Sequence, residues 1–223
     1  MEEMSLEKVI FDNIDSYEDL GLILTSFDDK LPEQKRSSIE VPGRNGVLDT
    51  SYALTDEPLF NNRVLTLTFG LYRELIGDWK QLIDSISNAL HGKEMLVYPS
   101  WKQGYYLMGN VSVDAYTIET TGELTIVCDC EPYYYADSPT IETITLTGVE
   151  QSVTLQNGRK WLLPVITTTG NGTKTVYVNN EETEISGAVN DMKYDSILFK
   201  DGANTVTLNG SGTITFTYRK GRL

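Results

Sequence analysis

Apolar and polar residues alternate along much of this 223-residue chain, the period-two pattern of half-buried β-strands. The clearest examples are residues 63–71 and a segment that opens at Gly122 and ends before Pro132, where proline removes a ladder donor. Their predicted inward-facing residues are Leu65, Leu67, Phe69 and Leu71 in the first strand, and Leu124, Ile126, Cys128 and Cys130 in the second.

The spacing changes to that of a helix over residues 79–91. Asp78 is the predicted N-cap with Gln81 as its reciprocal partner, and Gly92 suits the left-handed residue that ends a helix. Large apolar residues recur on one side at a period of 3.6, so this stripe is predicted to face a sheet. The stripe comprises Trp79, Leu82, Ile83, Ile86 and Leu90.

Residues 137–140 are the predicted joint between two domains. Before it, strands are mixed with one helix, and after it the sequence predicts only short strands and turns. Asn179-Asn180 indicates one hairpin, and the segment 209–212 (Asn-Gly-Ser-Gly) indicates another between strands 205–208 and 213–218. Many short strands at this spacing predict a β-sandwich. We therefore expect a mainly β protein of two domains, residues 1–136 with one helix and residues 137–223 as a second sandwich.

Composition narrows the range of functions. The formal net charge is −14, which repels phosphate backbones and anionic lipid, so we expect neither nucleic-acid binding nor membrane binding. The N-terminus is acidic where a secretory signal would be basic. No apolar run approaches the length that a bilayer requires, and Leu20–Leu24 is far too short. We expect synthesis and folding in a cytosol.

Few residues form patterns that are typical of catalytic, metal-binding or phosphate-binding sites. His91 is the sole histidine and sits where a helix is predicted to end, which favours a structural role. Cys128 and Cys130 lie two apart in one strand, which suits neither a disulfide nor a zinc site, so we expect them buried. Adjacent carboxylate pairs fall in turns, and no glycine-rich turn is followed by the helix and lysine of a phosphate-binding loop. We predict no catalytic residue, metal or cofactor.

Six aromatic residues between positions 101 and 135 allow three interpretations. Burial in the sheet is favoured, an anchor at a protein interface comes second, and a platform for stacking sugars comes third. The six are Trp101, Tyr105, Tyr106, Tyr133, Tyr134 and Tyr135.

A turn-rich segment is the candidate interface. It is a solvated turn between strands, or it contacts another subunit or a partner, and the residues favour the two interpretations equally. Its Arg44 and Asp49 are predicted to pair within the loop or across a subunit boundary. The candidate residues are Pro42, Gly43, Arg44, Asn45, Gly46 and Asp49.

A series of short motifs, in order and spacing, resembles the distal tail proteins of long-tailed bacteriophages. The resemblance covers most of the chain. The motifs are 22–27, 33–49 with Pro-Gly-Arg-Asn-Gly at 42–46, Glu57-Pro58, 63–69, 123–134, Asn157-Gly158, 163–166, 198–204 and 218–221.

This resemblance implies an architecture and a role. It implies an N-terminal β-sandwich-like domain with a helix that forms hexameric rings, followed by a small galectin-like β-sandwich. It further implies a non-enzymatic protein at the virion tail tip, synthesised in the host cytoplasm. Its expected partners are copies of itself, the tail tube protein, the tail-tip or tail-associated protein and receptor-binding proteins. The alternative function is a carbohydrate-binding protein that recognises a host cell-wall saccharide through its C-terminal sandwich.

Overall fold

The computed structural model describes residues 7–53, 57–71, 79–118 and 122–223. It contains two compact units, Met1–Tyr134 together with Leu223, and Tyr135–Arg222. The fold is mainly β, as expected, and the described residues contain one α-helix.

In the first unit one antiparallel sheet carries most of the strands. Its strand order is β2-β1-β7-β8-β9-β6-β3, and β4 pairs separately with β5. The bounds are β1 Val9–Phe11, β2 Ile14–Asp15, β3 Leu22–Asp29, β4 Ser38–Glu40, β5 Val47–Asp49, β6 Arg63–Leu71, α1 Trp79–Leu90, β7 Lys93–Pro99, β8 Tyr105–Ile118 and β9 Gly122–Cys130, with a 3-10 turn at Ser100–Lys102.

The alternating residues of β6 and β9 form the centre of the first core. These two strands pair directly, with Leu65 opposite Cys128 and Phe69 opposite Leu124, so one face of the sheet presents a continuous apolar surface. The prediction for both strands is confirmed, except that the side chain of Leu71 lies outside the described residues. The fully buried members are Leu65, Leu67, Phe69, Leu124, Ile126, Cys128 and Cys130.

Helix α1 packs on this core through the predicted stripe. Ile83, Ile86 and Leu90 are buried, and Gly92 has the positive φ of 75° that a left-handed C-terminal residue needs. The Lys93 ammonium donates to the Ala89 carbonyl over 2.7 Å and so satisfies one free helix carbonyl. Asp78 and the side chain of Trp79, which the sequence assigned to the cap and the stripe, lie outside the described residues.

The second unit is a sandwich of two antiparallel sheets, with orders β11-β17-β13 and β12-β16-β14-β15. Apolar residues from both sheets meet in one core, including Phe216 and Val206, and Phe199 from the segment before β16 joins them. The sandwich strands are β11 Thr140–Thr147, β12 Gln151–Asn157, β13 Val165–Thr168, β14 Thr173–Val178, β15 Glu181–Ser186, β16 Gly202–Asn209 and β17 Ser211–Tyr218. The short strands β10 Tyr134–Ala136 and β18 Gly221–Arg222 pair with each other and belong to neither of these two sheets.

One predicted hairpin is present and the other is wrong. Strands β14 and β15 pair across Asn179 and Asn180, whose φ values of 52° and 67° are those of a type I′ turn. Strands β16 and β17 do not pair with each other but belong to opposite sheets. Gly210 and Gly212, with φ of 131° and 100°, turn the chain from one sheet into the other.

The reason lies in how closely the backbone passes its neighbours at this corner. A Cβ on Gly212 would lie 2.2 Å from the Thr169 carbonyl oxygen, and one on Gly210 would lie 2.8 Å from that of Thr173. The glycines are therefore required for packing between sheets, and their sequence pattern does not distinguish such a corner from a hairpin turn.

Next to this corner, a fully buried lysine organises a glycine loop. The Lys174 ammonium donates to the carbonyls of Gly170, Gly172 and Gly187 over 3.0, 2.9 and 2.9 Å. An ammonium has three donors, so each has a partner. Two of the bonds hold the loop before β14, and the third joins it to Gly187, which follows β15.

Candidate interaction surface

The predicted interface segment forms the end of a two-stranded hairpin, which we call the arm (residues 37–50). Strands β4 and β5 pair with Ile39 opposite Leu48 and Glu40 opposite Val47. Neither strand belongs to any of the three larger sheets. The arm is therefore supported by its own ladder and by its base.

The base of the arm is fixed by hydrogen bonds. The Thr50 amide donates to the Ser37 carbonyl over 2.8 Å, and the Ser37 amide donates to the Ser51 hydroxyl over 2.9 Å. Closer to the sheet, the Lys35 amide donates to the Leu59 carbonyl over 2.8 Å. These bonds set where the arm leaves the unit.

The turn at the tip requires two glycines. Gly43 and Gly46 have φ values of 83° and 76°, a region that other residues adopt only with strain. The Arg44 amide donates to the Val41 carbonyl over 3.1 Å. A Cβ on either glycine would meet open space, so backbone conformation and not crowding selects glycine here.

The arm exposes apolar side chains that a monomer leaves in water. Ile39 and Leu48, which are cross-strand neighbours on one face, are 53% and 40% exposed, and Val47 on the other face is 53% exposed. An isolated two-stranded hairpin is marginally stable in water, and clustered exposed apolar residues mark contact surfaces. The arm thus has the composition of an interface element.

The six candidate residues all lie on the arm and are all exposed. Among the ion pairs of the described residues none joins Arg44 to Asp49. The Asp49 carboxylate instead accepts from the Ser51 amide over 2.8 Å. Hydrogen bonds from Ser51, with a smaller contribution from the positive charge of Arg36, lower the pKa of Asp49. Asp49 therefore helps to hold the base of the arm.

Sequence reasoning overlooked the apolar part of this surface. Ile39 and Val41 alternate with Ser38 and Glu40, a short period-two signal that, with Asn45-Gly46 a few residues on, would have indicated a hairpin.

The six aromatic residues predicted to be core or interface do not form an exposed platform. Tyr133, Tyr134 and Tyr135 are buried, and the other three are half-buried. Trp101 stacks on Phe27 with ring centroids 3.9 Å apart. The favoured interpretation, burial in the sheet, is correct for the three tyrosines.

A buried ionic cluster surrounds Arg63, the first residue of β6. Arg63 is 1% exposed and pairs with Asp29 at 2.5 Å. The Arg63 Nε donates to the Pro132 carbonyl over 3.2 Å, and the guanidinium lies 4.8 Å from the centroid of the Tyr134 ring. The Tyr134 hydroxyl in turn donates to Asp29 over 2.9 Å. Burial, followed by the negative charge of Asp29, raises the pKa of Tyr134. The cluster is a structural tie between strands.

The residues that most often carry catalysis are held in structural positions. Burial is the main cause that raises the pKa of Cys128, and burial followed by the charge of Asp129 raises that of Cys130 to about 12, so neither thiol is a ready nucleophile. His91 Nδ1 accepts from the Val113 amide over 3.1 Å. Within the described ranges, no three His, Cys, Asp or Glu side chains converge as metal ligands would.

The second unit has one groove that the sequence did not suggest. It measures about 460 Å³ and lies on the outer face of the β12-β16-β14-β15 sheet. Its centre is Tyr177, which is 42% exposed and lies in register between Thr207 and Glu182. The residues that line it are Glu150, Thr175, Tyr177, Glu182, Thr207, Leu208 and Asn209.

Among the described helical residues, none belongs to a helix long and apolar enough to cross a bilayer.

Comparison with known proteins finds likeness in structure and not in sequence. No protein-family model matches the chain, and no curated protein matches it. The fold is similar to the crystal structure of SPP1 Dit (gp 19.1), a paradigm of the hub adsorption apparatus in Gram-positive-infecting phages, with a TM-score of 0.74, 12% identity and coverage of 96% of this chain and 99% of that one. A chain of the activated phage p2 baseplate with Sr aligns over 95% of this chain at 10% identity, but its TM-score of 0.40 supports no argument. The resemblance found in the short motifs therefore extends to the whole fold.

Proposed function

We propose that this chain is a structural distal tail protein that joins copies of itself into a ring at the tail tip of a phage. The observation that supports this most directly is the arm, whose apolar residues are exposed in the single chain. A cyclic assembly would cover them by contact with a neighbouring copy.

The whole-chain likeness to SPP1 Dit supports the same proposal. SPP1 Dit is part of a hub adsorption apparatus, and the alignment spans nearly all of both chains. By that analogy, residues 1–136 form a hexameric ring and residues 137–223, as a galectin-like domain, point outward. The ring then joins the tail tube protein to the tail-tip protein and to receptor-binding proteins, after synthesis in the bacterial cytoplasm, and performs no catalysis.

Light scattering coupled to size exclusion, together with electron microscopy, tests the proposal. We expect a species near six times 25.0 kDa, visible as rings with a central channel. The double variant Ile39→Asp, Leu48→Asp should be monomeric, since two buried like charges would enter each interface. Val149→Asp, a change at a still more exposed apolar residue of the second unit, should leave the ring intact.

Two outcomes would contradict the proposal. One is a wild-type protein that stays monomeric in light scattering even at the highest concentration tested and forms no cross-linked oligomer there. The other is a ring that the arm variant forms as well as the wild type, which would remove the arm from the interface.

The alternative function, recognition of a cell-wall saccharide, is supported by the groove around Tyr177. An exposed tyrosine offers an apolar face to a pyranose ring, and the neighbouring Thr207, Glu182 and Asn209 offer hydrogen-bonding groups for sugar hydroxyls. The alternative thus depends on a residue outside the aromatic set that the sequence had suggested.

Binding to immobilised cell-wall polysaccharide tests this second function. We expect Tyr177→Ala to abolish retention and Tyr116→Ala, at an exposed tyrosine of the first unit, to leave it unchanged. Equal retention of both variants, or no retention of the wild type, would exclude the groove as a saccharide site.

A further inference from the structure

The chain contains four Asn-Gly dipeptides in different surroundings. In an Asn-Gly dipeptide the glycine has no side chain that would hinder its amide nitrogen from approaching the asparagine side chain. Each of the four can therefore form a cyclic imide from these two groups. The four sites differ in how freely the glycine nitrogen can approach the asparagine Cγ, and the structure ranks them by this freedom. The four are Asn45-Gly46, Asn157-Gly158, Asn171-Gly172 and Asn209-Gly210.

Asn157 is the most strongly held of the four. It is 8% exposed, and its amide nitrogen donates to the carbonyls of Lys160, Phe199 and Lys200 over 2.8, 3.2 and 3.2 Å. A Cβ on Gly158 would lie 2.3 Å from the Gly221 carbonyl oxygen, so its backbone has no room to turn. Cyclisation would have to break this packing first.

Asn171 and Asn209 lie on the surface in fixed backbone. The carbonyls on either side of Asn171, those of Gly170 and Gly172, accept from the buried Lys174 ammonium. Asn209 is the last residue of β16, and its side-chain oxygen already accepts from the Gly210 amide over 2.8 Å. The Gly210 backbone is packed closely, because a Cβ there would lie 2.8 Å from the Thr173 carbonyl oxygen, so it turns less freely than an exposed loop.

Asn45 has none of these restraints. It is exposed at the tip of the arm, and Gly46 has open space around it. Among the hydrogen bonds of the described residues none involves the Asn45 side chain, and none outside the β4–β5 ladder involves the Gly46 amide. An exposed turn of this kind opens at little free-energy cost, whereas packed segments open only with their surroundings.

We propose that Asn45-Gly46 is a site of spontaneous deamidation, and that in the folded protein it reacts ahead of the other three Asn-Gly sites. The Gly46 nitrogen loses its proton and bonds to Asn45 Cγ, the bond from Cγ to the side-chain nitrogen breaks, and that nitrogen leaves as ammonia with the proton. Water then opens the cyclic imide at one of its two carbonyls. The product is aspartate or isoaspartate, so the arm gains one negative charge.

The position gives the reaction a consequence, which depends on the proposed ring. The first unit already has 23 Asp and Glu against 10 Lys and Arg, and an added carboxylate at a subunit contact repels these acidic neighbours. Deamidation would thus weaken association as the protein ages, more so at low ionic strength.

Peptide mapping by mass spectrometry of protein incubated at neutral pH tests the site itself. We expect the Asn45 peptide to convert about tenfold faster than the Asn157 peptide, with Asn171 and Asn209 between them, because exposed and packed segments differ in their cost of opening. In concentrated urea the four rates should converge, since all four share the Asn-Gly sequence. Gly46→Ala should slow the Asn45 reaction, and Asn45→Gln should remove it.

The outcome that overturns the site is an Asn45 rate no higher than that at the other three positions, or the same ranking in urea as in buffer. The consequence is tested apart from this by comparing self-association of Asn45→Asp with that of Asn45→Gln. We expect weaker association for Asn45→Asp alone, and equal association would refute the effect on assembly. Mapping is done on protein diluted until light scattering shows single chains, in which the arm is exposed, so its result stands whether or not a ring forms at higher concentration.

Discussion

Removal of the buried Arg63 charge should destabilise the first unit substantially. Arg63→Met keeps much of the side-chain volume but leaves the Asp29 carboxylate without its ion-pair partner at 2.5 Å and the Tyr134 ring without the guanidinium at 4.8 Å. Breaking one side of a buried pair costs about 3 to 5 kcal/mol, because the remaining charge stays buried and uncompensated. One Arg63 nitrogen, Nη2, has no hydrogen-bond partner within the described part of the chain, so we expect the lower half of that range.

Urea unfolding followed by far-ultraviolet circular dichroism measures this loss. The two units can unfold separately, so the transition of the first unit must be assigned, for example by tryptophan fluorescence in a Trp161→Phe background, which removes the tryptophan of the second unit. Lys30→Met is the matched control, because Lys30 pairs with Asp28 on the surface and such pairs contribute about 0 to 1 kcal/mol.

A double-mutant cycle with Asp29→Asn gives the sharper result. If the two charges stabilise each other, the double variant will be less destabilised than the sum of the single variants. An Arg63→Met change within about 0.5 kcal/mol of wild type, or strict additivity in the cycle, would refute the assignment of this cluster as a structural tie.

Three further predictions follow from other parts of the fold. Gly212→Ala should cost about 2 kcal/mol or more beyond Gly148→Ala in thermal melts, because both glycines have positive φ but only Gly212 would place a Cβ against a carbonyl oxygen; equal costs would contradict the sheet-to-sheet corner. Burial opposes ionisation of Asp15, but its bond to Lys8 and two backbone amides outweighs this and lowers its pKa below the usual 3.8. Its stabilisation is therefore present above about pH 4 and lost as the pH falls through the folded value, and Asp15→Asn should flatten the acid limb of a stability profile measured by urea melts; an unchanged limb would show that Asp15 is not involved. Both cysteines should resist alkylation at pH 8 in buffer and react in urea, since both thiols are buried with raised pKa values; rapid modification of the folded protein would show that β9 is more accessible than described.

Much of the fold was predictable where one local pattern had one structural meaning. The alternation of β6 and β9 and the helical stripe each require burial on one side, and Asn179-Asn180 suits a turn with two positive φ values. The β16–β17 connection was not predictable, because glycines that permit a hairpin also permit a passage between two sheets. Local sequence carries no information on which strand lies opposite.

The position of the arm was predictable from the sequence, but the apolar residues that it exposes were not. Glycines at 43 and 46 indicated a turn, whereas the apolar pairing of Ile39 with Leu48 depends on a register that only the fold defines. The burial of Arg63 was likewise not predictable, because an arginine at the start of a strand is usually solvated, and its partners Asp29 and Tyr134 are distant in sequence.

Lys174 supplies, through a covalent tether, what a bound cation supplies in many glycine loops. Its positive charge is built into the chain, so the shape of residues 170–172 should not respond to chelators or to the divalent-ion content of a buffer. A lysine-directed modification such as acetylation would need the loop to open, and would then leave the carbonyls of Gly170, Gly172 and Gly187 short of donors. Samples of this protein can therefore be prepared with or without such ions while this corner of the second unit keeps its form.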